Sequence, residues 1–153
     1  MRAAATVRGS QATGLCRGKY GSMSTATPQR PGLQAHSQAT RLPTAELVSE
    51  LRALLGAKLV AYLGGVRETR AVRQWADGQR AVQDKTTEYR LRLSYQIAAL
   101  IAGHDSAEVA QAWFQGLNPD LDDRSPARLL REGDLDDVGP TVLSAARTFT
   151  VTG

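Results

Sequence analysis

Arg70, Arg73, Gln74 and Asp77 recur at i, i+3, i+4 and i+7, which places all four on one side of a helix. Ala71, Val72 and Trp75 supply the opposite, apolar side. Guanidinium and carboxamide groups on an exposed helix read base edges in the DNA major groove, arginine suiting guanine and glutamine suiting adenine. Arg67 and Thr69 lead into this face, while Arg80 and Lys85 follow it as candidates for phosphate contact. Arg67, Thr69, Arg70, Arg73, Gln74, Arg80 and Lys85 form the candidate DNA-binding set. A solvated basic face on an ordinary pair of helices fits the same spacing.

Other chemistry lacks its residues. Asp122, Asp123, Asp134, Asp136 and Asp137 share charge with a calcium loop but not its glycine and terminal glutamate at set offsets; helix capping explains them better. Cys16, His36 and His104 give a zinc ion no ligand cluster. No Lys-Ser/Thr pair follows Gly64-Gly65, so the glycines are not a phosphate loop. Neither histidine stands in an arrangement that marks a nucleophile. The chain reads as a binding protein with no catalytic residue, no metal and no cofactor.

The arginine face needs a frame, and helical periodicity predicts one. Leu47, Val48, Leu51, Leu54 and Leu55 make one stripe of a bracing helix over about 43–55. Leu55, Leu59, Val60 and Leu63 continue a stripe up to Gly64-Gly65, where glycine permits the left-handed backbone of a tight turn. The arginine segment follows, ending at Gly78, in the layout of a helix-turn-helix. Tyr89, Leu93, Ile97, Leu100 and Ile101 then predict the longest helix, from Lys85 to Ala102, with Gly103 ending it. Farther on, Ser106 reads as a helix cap, Ser125-Pro126 as a cap followed by a first-turn proline, and a last helix begins near Asp137 with Pro140 in its first turn. Val138, Val142, Ala145, Ala146 and Phe149 line that last helix, and Trp75 and Trp113 read as the buried anchors of the two halves. No segment alternates with period two, so the expected fold is all-α: a helix-turn-helix domain over 42–103 and a small helical domain over 104–153.

Charge separates the same two parts. The net charge of +4 conceals eight basic against four acidic side chains over 57–92, and four basic against nine acidic over 93–153. A basic surface meets phosphate through counterion release, whereas an acidic one avoids it, so two faces imply two partners. Residues 1–43 carry six basic side chains and no acid, and residues 1–41, poor in large apolar side chains, are expected to be a disordered tail. The start has a transit-peptide flavour but no apolar core of a secretory signal, and translation beginning at Met23 is the favoured account of it. No run of about 18 apolar residues exists, which argues against a membrane partner. The single cysteine fits a cytoplasmic location, and the excess of arginine over lysine, 16 to 3, hints at a GC-rich bacterial gene.

Two stretches resemble the Xre/MbcA/ParS antitoxins. Residues 54–78, ending in Arg73, Trp75 and Gly78, are similar to that family's helix-turn-helix. Residues 112–138 are similar to its toxin-binding domain and carry Trp113, Leu117-Asn118-Pro119, Leu121, Ser125-Pro126, Leu129-Leu130, Gly133 and Val138 in the family's order. The resemblance implies an antitoxin that neutralises a RES-domain, NAD⁺-consuming toxin and represses its own operon, as a homo-oligomer or a toxin–antitoxin hetero-oligomer. A stand-alone helix-turn-helix regulator without a toxin is the alternative, and a purely structural interaction module is the third reading. The resemblance marks Trp113, Asn118, Pro119, Arg147, Thr148, Phe149, Thr150 and Val151 as the toxin-binding set. It also departs from the family in two places. Gln79-Arg80-Ala81-Val82 stands where the family often has prolines, and Thr148-Phe149-Thr150 where it often has an aromatic-glycine pair. The expectation for the tail, 147–153, is that Phe149 fills an apolar slot of the toxin's pocket while Thr148 and Thr150 offer hydroxyls; the competing reading ends the core stripe at Phe149.

Overall fold

A computed structural model describes residues 30–152. The readings on residues 1–29, including the start at Met23, the targeting flavour and Cys16, lie outside the described residues, as does Gly153. Eight α-helices follow in order: α1 Pro31–Arg41, α2 Thr44–Leu55, α3 Ala57–Leu63, α4 Thr69–Ala76, α5 Lys85–His104, α6 Ala107–Gln115, α7 Pro126–Glu132 and α8 Leu135–Thr152. A 3-10 turn, Pro119–Leu121, joins α6 to α7, and no strand occurs among the described residues. The fold is all-α, and no described helix is long and apolar enough to cross a membrane.

The first helix corrects the expectation of a disordered tail through residue 41. Pro31 opens α1 at a position where its missing N–H costs nothing, and Ala35 and Ala39, four apart, bury one face against α5. Small side chains let the two helices approach closely. The tail looked unstructured because it lacks large apolar residues, but two alanines at helical spacing are enough to seat it.

The bracing helix and the two helices on either side of Gly64-Gly65 stand where periodicity predicts. Leu47, Val48, Leu51 and Leu55 of α2 are fully buried, and α2 packs on both α4 and α5. The two turn glycines serve different ends. Gly65 has φ +70, the left-handed conformation expected of it, but Gly64 does not. A Cβ on Gly64 would stand 2.8 Å from Cζ3 of Trp75, so its absence lets the indole lie against the turn. Val72 and Trp75 hold α4 down on this bed.

α5 is the axis. Asp84 caps it by accepting from the N–H groups of Thr86 and Thr87, and α1, α2, α3, α6, α7 and α8 all pack against it. It is buried on most of its circumference over Leu91–Ala98, runs through Gly103 to His104, and leaves Tyr89, expected on the core stripe, 48% exposed. In the C-terminal part the caps are as expected: Ser106 accepts from Val109 N–H and Ser125 from Arg128 N–H. α8 starts two residues earlier than expected because the Asp134 carboxylate accepts from Asp136 N–H, which places Pro140 inside the helix at its sixth position. Pro140 leaves the carbonyl of Asp136, an exposed residue, without its intrahelical donor. Buried side chains from both sides of residue 104 form one cluster, so the two parts share a core.

Candidate functional site

The exposed side of α4 borders a groove of about 480 Å³ lined by Thr69, Arg70, Arg73, Ala57 and Arg52. Arg52 comes from the last turn of α2, half-buried at the flank of its apolar stripe, four residues after Val48 and three before Leu55. Three arginines from two helices thus line one space. The ion pairs among the described residues are Arg92–Glu88, Arg124–Asp122 and Arg128–Glu132, and none engages Arg52, Arg70 or Arg73. Cations held together without carboxylates suit an anion better than they suit one another.

The rest of the DNA-binding set disperses. Arg67 is exposed in the turn before α4. Gln74 is half-buried, and its carbonyl accepts from the N–H groups of Gln79 and Arg80 at 2.9 and 3.1 Å, which fixes the chain leaving the helix and holds exposed Arg80 near its end. Lys85 opens α5 on another side, beside Gly133, Asp134 and Asp136, and does not join the arginines. Arg52 escapes the sequence pattern because the apolar face alone defines its helix; its place at the flank of that face, one turn from Val48 and from Leu55, was the available signal.

A second set of arginines is internal. Arg90 donates to the carbonyls of Leu130 and Leu63 at 2.8 and 3.2 Å, tying the end of α3 to α7. Arg131 donates to Tyr62 O at 2.9 Å, and its guanidinium lies 4.4 Å from the Tyr62 ring centre. Arg92 donates to the carbonyls of Ala39 and Leu42 and to Glu88, joining α1, the α1–α2 link and α5. The Thr44 hydroxyl, then Arg92, hold the Glu88 carboxyl below the usual carboxylate range. Burial, then the hydrogen bond to Glu50, pushes the Tyr95 phenol up. Burial likewise lowers the Arg90 guanidinium.

The toxin-binding set splits between packing and surface. Trp113 is 9% exposed, edge-on to Phe114 at 5.5 Å, and 6.4 Å from Phe149, which is half-buried against it. Asn118 uses its side chain to accept from Asp120 N–H and its backbone to hold Leu121, Asp123 and Arg124, so it closes its own loop. Pro119 is exposed on that loop beside Leu117, which is 74% exposed. Arg147, Thr148 and Val151 are exposed on the last turns of α8, while the Thr150 hydroxyl donates to Arg147 O. With Phe149 on Trp113, Val151 is the exposed apolar side chain of the tail.

No family model, no curated protein and no solved structure matches the chain.

Proposed function

We propose that the protein is an antitoxin of a two-gene operon, acting in the cytoplasm by binding rather than catalysis: it holds operator DNA through α4 and a RES-domain, NAD⁺-consuming toxin through its C-terminal part. The observation that carries the DNA half is the unpaired cluster of Arg52, Arg70 and Arg73 at the exposed side of α4. Arg70 and Arg73 are offered to base edges, and Arg52, from the preceding helix, to a phosphate. Two copies on half-sites about one duplex turn apart, roughly 34 Å, give the repressor its register. The toxin half rests on the resemblance over residues 112–138, and the exposed Arg147, Thr148 and Val151 are its contact candidates.

The half-burial of Phe149 favours the second reading, a regulator without a toxin, because the side chain best suited to fill a pocket already packs on Trp113. Co-expression with the product of the adjacent gene separates the two. The antitoxin reading expects a RES-like protein that arrests growth alone, is silenced by this chain and co-purifies with it. It also expects that a chain altered at Arg147, Thr148 and Val151 together still co-purifies but protects poorly. A neighbour that is harmless alone, or is never captured, contradicts it and leaves the regulator.

A further inference from the structure

Two of the four large hydrophobic side chains left exposed among the described residues, Leu33 at 63% and Tyr89 at 48%, border the same space. α1 and α8 both lie on α5 and leave between them a groove of about 1080 Å³, which Leu93 and Leu143 also line. The lining positions step along each helix by three or four: 33, 36 and 40 on α1, 89, 93 and 96 on α5, 139, 143 and 147 on α8. Seven or eight residues at about 1.5 Å rise make the groove roughly 10–12 Å long, two turns of a helix or slightly more. Its charge is one-sided. Arg30 and Arg147 are exposed on its lining with no carboxylate partner, Arg92 is neutralised by Glu88 at 2.8 Å, and no aspartate or glutamate lines it.

We propose that this groove docks an acidic amphipathic helix of a partner protein. Apolar side chains at i, i+3 or i+4 and i+7 would seat over Leu33, Tyr89 and Leu143, and flanking carboxylates would meet Arg30 and Arg147. Charge selects this occupant over the others. A second copy of the chain docked face to face sets Arg30 and Arg147 against their own like. Residues 1–29 carry four basic side chains and no acid, and the same rim repels them. The groove shares no residue with the arginine groove of α4; Arg147 belongs both to its rim and to the proposed toxin contacts, and Leu33, which lies outside those contacts, separates the two.

The test uses the full chain and three labelled synthetic helical peptides, read by fluorescence anisotropy. The first has leucines at i, i+3, i+4 and i+7 and glutamates between them; the second replaces glutamate by lysine; the third keeps the first composition in an order that breaks the apolar face. The glutamate peptide is expected to bind, more weakly as salt rises, and the other two are not. Leu33→Asp and Arg147→Glu, both at exposed positions, are each expected to weaken binding about tenfold with the helical circular dichroism unchanged. Leu117→Asp, at a position 74% exposed and off the groove, is expected to leave it unaltered. Failure of the glutamate peptide to bind the folded full chain overturns the proposal, as does binding blind to peptide charge or to both groove substitutions. A dimer that both groove substitutions dissolve assigns the surface to a second copy instead, and equally overturns it.

Discussion

Arg90, Arg92 and Arg131 lie along the inner seams of the molecule and donate hydrogen bonds to main-chain carbonyls at helix ends; Arg52, Arg70 and Arg73 line an open groove and donate to no protein atom among the described residues. The same side chain therefore has two uses within one small fold. A helix ends with carbonyls that have no intrahelical donor, and where such an end is packed against another helix, a long, forked, permanently charged donor is the natural partner. Arg90 and Arg131 do this for the end of α3, beside the Gly64-Gly65 turn, and so brace the helix that supports α4 from the far side of the core. Half-buried Arg52 and exposed Arg70 and Arg73, which line one groove from α2 and α4, have no such partner, and their mutual repulsion is relieved only by solvent or by an anion. The two sets differ in their acceptors: main-chain carbonyls, not residue type or count, mark the cementing arginines.

The largest effect should come from the packed side. Trp113→Ala removes an indole wedged between Phe114 and Phe149, and chemical denaturation should show a loss of about 3–5 kcal/mol. Arg92→Ala strands the carbonyls of Ala39 and Leu42 as well as Glu88, and should cost about 2–3 kcal/mol, with α1 loosening first in amide exchange. In the groove, Arg70→Ala or Arg73→Ala should leave the melting temperature unchanged yet cost about 1–3 kcal/mol of discrimination at one base pair of the operator. Arg52→Ala should weaken every DNA sequence alike and flatten the salt slope by about one unit, sharpening the division between base and phosphate contacts. The smallest effect concerns pH. Glu88 has a folded-state pKa below its unfolded one, so its contribution is present above the unfolded value and lost as pH falls through the folded value. Glu88→Gln should therefore narrow the gap in stability between neutral solution and solution more acidic than the ordinary carboxylate range, measured by urea titration at each pH.

Much of the fold was legible because apolar periodicity and caps are local signals. Ser106, Ser125 and the stripe of α2 announced their helices within a few residues. α1 was not legible, since Ala35 and Ala39 make a face only when α5 is there to receive it. Gly64 shows the same limit: its role depends on Trp75, eleven positions away in the chain and in contact only after folding. The candidate site was legible for Arg70 and Arg73, whose spacing sits on one helix, and not for Arg52, which joins them across helices. Lys85 followed from charge alone and stands beside Asp134 and Asp136 instead. Likewise nothing in the sequence separated Arg90, Arg92 and Arg131 from the arginines of the open groove, because their carbonyl partners lie 27 to 69 positions away in the chain.

The most direct test of the account is an electrophoretic mobility titration of the DNA upstream of the gene, comparing the natural chain with the Arg70→Ala/Arg73→Ala double variant and with Arg131→Ala. The account predicts that the double variant keeps its fold and loses specific binding, falling to the level of unrelated DNA, while folded Arg131→Ala still binds at a temperature below its own melting point. Undiminished operator binding by the double variant would contradict it, and would reduce the exposed face of α4 to a solvated surface.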